Sequence, residues 1–587
     1  MATLHLSGTQ LEPQAPRVPL IRPFLVSMAV MFILAMHFFM PNPGGSGLAL
    51  SFNATTWLAL GISIAIGLYQ IGTEGSIRYN KLTVVLFSVC LMLTAPVLYP
   101  NASLELSLGR LAGLWIGFLL FVILQQFRFS NRQKQRLLWF IIIAVLIEAL
   151  LGWGQYLILE PGNFMGYDTS SNRPYGIFQQ PNVMASFLAT GLVLSGYLLA
   201  RHPAKYQNRL SAVTILYIMP AVTIPLLVFL ASRTGWLGAA LASVLVIPYL
   251  YRFATKKRLL GWCASICVGI AIAFTLPALN KATGAIEAKA NLESARSYIY
   301  PQAADMLVEK PFTGYGYGRF EAEYILYTAR QHQLNPDYHV GLAALDHPHN
   351  ELLYWGVEGG LLPLLGILLA AIFVLLRMYQ AKKGTRLAMF ALFVPILLHS
   401  QLEYPFYHSI IHWVIFIVLL YWVDQRANSY RNFSFSIISK TLLRVFSLVV
   451  PIVITLYMGS SLHTNYVLTQ FEKSQPKDPN ILAKVSNPIV WKNRYDWDVY
   501  SVYLNIGLVT QNPEYIQPYV DWSLKIIKDT PRPAFYNNLI MAYQGLGEEQ
   551  KAEQIRSEAQ FLFPERDFDK VQYIAPDIDA LKASAAE

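Results

Sequence analysis

The sequence predicts an all-α polytopic membrane protein with about thirteen transmembrane helices. Three observations predict it. Only 14% of the 587 residues are charged while 54% are hydrophobic, against about 25% charged in an ordinary soluble chain. Mean hydropathy is +0.38. Apolar runs long enough, or nearly so, to cross a hydrocarbon core recur along the chain, and the turns between them alternate between cation-rich and cation-poor.

The candidate spans are 23–40, 55–71, 82–99, 110–127, 137–158, 183–200, 211–230, 234–251, 259–276, 351–376, 387–401, 407–423 and 442–461. The first is followed by Pro41-Asn42-Pro43 with no small-residue cleavage site, so it reads as a retained span rather than a signal peptide. The spans on either side of Glu403-Tyr404-Pro405 are one apolar stretch with a short polar break. Cations gather in the turns that hold Arg17 and Arg22, Arg78 and Lys81, Arg128 to Arg136, Arg201 to Arg209, Arg252 to Arg258, Arg377 to Arg386, and Arg426 to Arg444. The alternate short turns hold only Arg110, Arg173 and Arg233. The positive-inside rule then puts the tail 1–22 in the cytoplasm. It sends the polar insertion 277–349 and the region 462–587 outward, which in a bacterium is the periplasm of the inner membrane. The net charge of +10 is this topology signal and does not imply nucleic acid as a partner.

Residues 23–461, including the large loop 277–349, form the expected transmembrane catalytic domain. The composition of 462–587 is that of a soluble domain. Within it, Pro531–Pro564 reads as a helical hairpin with the spacing of one tetratricopeptide-like repeat of about 34 residues. One repeat cannot bury its own face, so the helical runs Val499–Leu508 and Glu514–Lys528 are expected to stack on it. Cys90, Cys263 and Cys267 lie within apolar runs and read as small buried hydrophobes, not as a disulfide framework.

The chemistry concentrates on the cation-poor face. A guanidinium kept there against the orientation signal offers a permanent charge and a planar fork for phosphate. The alternative for Arg110, Arg173 and Arg233 is snorkelling to head groups or pairing with an acid such as Glu105. The loop also carries Arg296 and the run Lys310–Phe320, whose Gly314, Gly316 and Gly318 suit either close approach to a ligand or a tight turn. That run lacks the strand-turn-helix setting of a nucleotide fingerprint. His332, His339, His347 and His349 lie in the loop, while His399, His408 and His412 flank Glu403. Their spacings match no metal-ligand signature, so neither metal nor other cofactor is expected. His349 stands at a loop-to-helix boundary, after Pro348 and before Asn350, a good N-cap type. Asp346 or Glu351 could orient its imidazole. Glu403 could cap a helix, pair with an arginine or touch substrate.

Four segments in this order carry a resemblance: Arg-x-x-Gly-x-x-x-Gln-Pro-Asn (Arg173–Asn182), Ser-Arg-Thr-Gly (Ser232–Gly235), Arg296 with Lys-Pro-x-x-Gly-x-Gly-x-Gly-x-Phe (Lys310–Phe320), and His-Asn-Glu-Leu-Leu (His349–Leu353). Together they resemble the O-antigen ligase and polymerase superfamily. With the hairpin Leu398–Pro405 and the C-terminal helical region, they are most similar to the bacterial O-linked protein oligosaccharyltransferases that glycosylate pilins. The resemblance spans about residues 20 to 570. It implies a GT-C-type membrane glycosyltransferase that moves an oligosaccharide from undecaprenyl pyrophosphate to a Ser or Thr hydroxyl of an exported protein such as a pilin. His349 falls on the family's catalytic histidine, a general base. Arg173 and Arg233 fall on its pyrophosphate-binding arginines, with Arg296 and Gln179 as further donor contacts. Asn182, Arg319, Asn350 and Glu403 complete the candidate site. Two rivals remain open at this stage. One is a ligase or polymerase with a sugar hydroxyl as acceptor; the other is a transporter, against which the clustering of polar features at one face argues.

Overall fold

The computed structural model describes residues 20–201, 210–276, 294–425 and 429–576. Most of the 1–22 tail, the start of the 277–349 loop, and Arg17, Lys205, Arg209 and Arg426 lie outside the described residues. The helices, in chain order, are α1 Ile21–Ile33, α2 Ser51–Glu74, α3 Lys81–Thr94, α4 Leu104–Gln126, α5 Asn131–Leu157, α6 Pro181–Arg201, α7 Leu210–Phe229, α8 Arg233–Phe253, α9 Lys256–Thr275, α10 Arg296–Glu309, α11 Phe320–Leu334, α12 Glu351–Gly359, α13 Leu361–Tyr379, α14 Arg386–Ser400, α15 Pro405–His408, α16 Ile410–Asp424, α17 Ile437–Lys473, α18 Lys492–Thr510, α19 Pro513–Ile526, α20 Pro533–Gly545 and α21 Glu549–Leu562.

Ten of these helices are long and apolar enough to cross a membrane, and α1, α14 and α16 are shorter apolar helices. The chain is a multi-pass membrane protein. Sequence-local caps start several of the helices. Asn80 and Thr83 form a capping box for α3, and Ser130 and Gln133 another for α5; Ser232 caps α8 and Asn350 caps α12. Helix α6 is the axis of the bundle: Val183 through Leu199 are buried without interruption, and α5, α7, α8 and α14 pack around it. A helix apolar all round is the expected sequence for that central position.

Two boundaries differ from expectation. The span expected at 351–376 is two helices, because Gly360 takes φ +71° and its position is hemmed in by the Phe312 carbonyl. Leu361 N–H instead donates to Pro311 O at 2.7 Å. The division expected at 461/462 falls inside α17, which runs unbroken for 37 residues, about 55 Å at 1.5 Å per residue. The chain is also not purely helical: Ser76–Tyr79 (β1) pairs antiparallel with Arg431–Ser434 (β2). Both strands lie in turns that had been read only as cation-rich.

The described part of the large loop is not an isolated insertion. Its α10 and α11 share one hydrophobic core with α18 to α21, through Ile299, Met306, Phe320, Tyr324, Leu504 and Tyr536 among others. Arg532 grips Glu321 with two hydrogen bonds, 2.7 and 2.9 Å. The helices α18 to α21 stack in chain order, as the hairpin reading of Pro531–Pro564 anticipates.

Candidate active site

The site is assembled around one carboxylate. Glu403 lies in the turn between α14 and α15 and is 8% exposed. Its Oε2 lies 2.7 Å from His349 Nδ1. Its Oε1 takes an ion pair from the Arg296 guanidinium and a 3.2 Å hydrogen bond from Asn182 Nδ2. Four of the sequence-predicted residues therefore meet at one group. Burial opposes the charge on Glu403, but the His349 hydrogen bond and charge, and then Arg296, outweigh it and hold the carboxyl below its ordinary value. An ionised Glu403 accepts only, so Nδ1 carries a hydrogen, and in the neutral imidazole Nε2 is the nitrogen with the lone pair. Neither Asp346 nor Glu351 orients the ring. Asp346 is exposed, and Glu351 accepts from Trp355 Nε1 and Tyr407 Oη.

The backbone of His349 is itself constrained, at φ +57°, a conformation that a residue with a Cβ adopts at a cost of order 1–3 kcal/mol. Two side chains outside the sequence-derived candidate site hold it there. His347 Nδ1 accepts the His349 N–H at 2.9 Å. Tyr300 Oη lies 2.9 Å from His349 O and 3.0 Å from Gln401 O, its single hydrogen shared between these carbonyls. Burial pushes the Tyr300 hydroxyl up to about 12, so it stays a donor. Asn350 adds a 3.1 Å bond from Nδ2 to Gln401 O, which ties the α12 N-terminus to the Glu403 turn. The ring of Tyr404 lies beside both imidazoles, its centroid 5.4 Å from His347 and 5.3 Å from His349.

The arginine loops meet each other on the neighbouring helices. Arg173 Nε and Nη2 both donate to Leu230 O, at 3.1 and 2.8 Å. Three residues on, Arg233 is the first residue of α8 and exposed. Close packing sets α8 against the start of α6: a Cβ on Gly235 would lie 2.5 Å from Ala185 Cβ, one turn along α6 from Asn182. The N-termini of α6 and α12 therefore meet at the Glu403 turn, with the start of α8 packed against α6, and a helix N-terminus favours an anion. Gln179, partly exposed before α6, has φ +55°, and Asn172 and Ala231, each next to a loop arginine or its cap, have φ +42° and +46°. Strained backbone concentrates in the segments that carry candidate site residues.

Other candidates are placed elsewhere. Arg319 pairs with Asp529 of the C-terminal helices and is not part of the Glu403 cluster. Arg110 is buried against Glu358 at 2.5 Å and stacked by Tyr317, Tyr354 and Trp355; Glu105 pairs with Lys492 instead. The glycines of Lys310–Phe320 serve packing. Gly314, Gly316 and Gly318 all have positive φ, and a Cβ on Gly316 would lie 2.2 Å from Asn101 O. The remaining histidines have protein partners: His332 reaches Tyr338 O, His408 reaches Phe178 O, and His399 and His412 share Ser186.

Three family models match the chain. "O-Antigen ligase" covers residues 218–368, "Protein glycosylation ligase" covers 174–199, and "Virulence factor membrane-bound polymerase, C-terminal" covers 387–576. Residues 218–368 are thus similar to the O-antigen ligase family. Two curated relatives from Acinetobacter baylyi agree. The ComP-specific O-oligosaccharyltransferase is 24% identical over 404 residues, 64% of this chain and 67% of the relative. The general O-oligosaccharyltransferase is 25% identical over 325 residues, 52% of this chain and 54% of the relative. The chain thus spans about two thirds of one relative and about half of the other. Both relatives are O-oligosaccharyltransferases, and the chain is similar to them over these stretches. Arg233, Arg296 and His349 fall within the ligase match, and Asn182 within the glycosylation-ligase match.

Proposed function

We propose that the chain transfers an oligosaccharide en bloc from undecaprenyl pyrophosphate to a Ser or Thr hydroxyl of an exported protein, at the periplasmic face of the inner membrane. The observation that carries this reading is the 2.7 Å contact between His349 Nδ1 and Glu403 Oε2, which leaves Nε2 as the base. In the proposed step Nε2 takes the acceptor proton as the acceptor oxygen attacks the anomeric carbon. The bond from that carbon to the pyrophosphate oxygen breaks, and the electron pair leaves with the lipid pyrophosphate. Displacement in line inverts the anomeric centre. A positioned general base contributes about 10²- to 10⁴-fold.

Charge builds on the departing pyrophosphate, and Arg173, Arg233 and the gathered helix N-termini are the groups suited to stabilise it. Removing one such donor typically costs about 10²- to 10³-fold. Arg296 and Asn182 act through Glu403, while Gln179 lies close enough in sequence to the α6 N-terminus to touch the donor. The face assignment rests on the cation asymmetry of the turns. A protein acceptor is supported by the oligosaccharyltransferase relatives. The matches to ligase and polymerase models favour a second reading, in which the acceptor is a sugar hydroxyl. Membranes containing the enzyme, a lipid-linked oligosaccharide and a purified pilin separate the two. Glycan on the pilin hydroxyl supports the proposal; glycan found only on lipopolysaccharide core or on lengthened lipid-linked chains refutes it.

A further inference from the structure

At the opposite end of the bundle is a polar cleft that glycosyl transfer does not use. Helix α2 starts beside the hairpin, where Asn53 Nδ2 donates to His408 O at 2.9 Å. It ends 24 residues later at Glu74, about 36 Å away at 1.5 Å per residue. Beyond it the two strands pair, with Arg78 directly opposite Asn432. Cross-strand partners project from the same face. A cleft of about 440 Å³ opens there, lined by Arg78, Arg128, Lys134, Gln425, Tyr430 and Asn432 among others.

The cleft is built, not merely cationic. The Arg78 guanidinium stacks 3.7 Å from the Tyr430 ring centre. Gln126 fixes the backbone of Arg78 on both sides, accepting its N–H at 2.7 Å and donating to its carbonyl at 2.9 Å. Tyr430 is fixed in turn, donating to Asp424 Oδ2 at 2.7 Å and accepting from Gln425 Nε2 at 3.1 Å. Asp424 is fully buried and also takes bonds from Asn80 and Gln125, so its charge is satisfied away from the opening. The turns with Lys256 and Lys257, or Lys382 and Lys383, also carry exposed cations, and Arg386 stacks on Tyr379 in the second, but among the described residues neither turn has a strand pair to frame a cleft. Orientation alone needs only that simpler arrangement.

We propose that this cleft binds the phosphodiester head group of an anionic membrane phospholipid. Two guanidinium forks, an ammonium and two side-chain amides suit a phosphate rich in acceptor oxygens. The occupant is an amphiphile because the segment that follows the cleft is apolar and leads into α17, a candidate membrane span. Phe433, Ile437 and Ile438, on β2 and the first turn of α17, are 59%, 80% and 73% exposed. Acyl chains lie along that helix while the head group enters the cleft. The site is independent of the transfer reaction proposed above and would stand if that reading failed.

The test uses the full-length protein in phosphatidylcholine nanodiscs doped with phosphatidylglycerol, with retained lipid counted by native mass spectrometry. Wild type should keep phosphatidylglycerol through mild delipidation. Arg128→Gln with Lys134→Gln should bind it about 10- to 30-fold more weakly. Lys382→Gln with Lys383→Gln, of the same net charge, should match wild type. Arg78→Lys, which keeps the charge but loses the flat stack on Tyr430, should also weaken retention and serves if the double variant is poorly folded. Inorganic phosphate at 10 mM is the competing arm. Equal loss in both charge-matched pairs overturns the proposal. So does full displacement by inorganic phosphate with no preference for phosphatidylglycerol over phosphatidylcholine, since the ligand is then a soluble anion.

Discussion

Replacing Glu403 by glutamine should harm catalysis more than replacing it by alanine, the reverse of the usual ranking of conservative changes. The reason is geometric. Oε1 already receives Arg296 and Asn182, so a glutamine at 403 keeps its oxygen there. Its amide nitrogen then occupies the place of Oε2, 2.7 Å from His349 Nδ1. Two N–H groups cannot face each other, so the imidazole moves its hydrogen to Nε2 and Nδ1 accepts. The atom required as base is then protonated, and the loss approaches the whole value of general base catalysis, about 10²- to 10⁴-fold in kcat. Alanine forces no tautomer. From His349 it removes one charge-assisted hydrogen bond, worth about 1.5–3 kcal/mol, or roughly 10- to 10²-fold; its loss of the Arg296 and Asn182 contacts falls on the folded fraction. The assay is single-turnover transfer by purified protein, normalised to the fraction that binds lipid-linked donor. A glutamine variant faster than the alanine variant per competent molecule refutes the assignment of Glu403 as the group that fixes the His349 tautomer.

The same carboxylate sets a pH dependence. Its value in the folded protein lies below the ordinary 4.5, so its stabilising contribution is complete above that value and lost as pH falls through the folded value. The melting-temperature gap between wild type and Glu403→Gln should be present at about pH 5 and shrink below about pH 4. Gly316→Ala should destabilise by about 2 kcal/mol or more, since the residue has φ +108° and the new Cβ meets Asn101 O. The activity of whatever folds should be unchanged; a selective loss of donor binding would mean the glycine run touches ligand after all. Arg110→Ala strands Glu358, which is fully buried, and should cost about 3–5 kcal/mol. It should appear as lost folded protein in size-exclusion chromatography, not as a raised KM for donor.

The membrane helices were legible because their signal is local: an apolar run of span length needs no partner to be recognised. The break at Gly360 was not, because Gly359-Gly360 interrupts no hydrophobic pattern. Only the approach of Phe312 and Pro311, dozens of residues earlier, fixes its backbone. The strand pair was hidden for the same reason, its halves lying far apart in two turns that read as charge signals. His349, Arg296, Asn182 and Glu403 were each singled out from sequence, yet their meeting at one carboxylate was not. Glu403 lies 54 residues from His349, and the acids adjacent to the histidine drew attention instead. One sign did point to the answer. Glu403 was the acid in a short polar break within apolar sequence, where a carboxyl needs partners brought to it. Of its three open readings, the pairing with an arginine is the one the structure contains, joined by the histidine.

The most direct test of the proposed chemistry measures donor binding and single-turnover transfer on one preparation each of wild type, His349→Ala and Arg233→Ala. His349→Ala should hold lipid-linked oligosaccharide as tightly as wild type while transfer falls at least about 10²-fold, and Arg233→Ala should weaken donor binding or slow bond cleavage by about 10²- to 10³-fold. Transfer at the wild-type rate by His349→Ala would contradict the assignment of the imidazole as base.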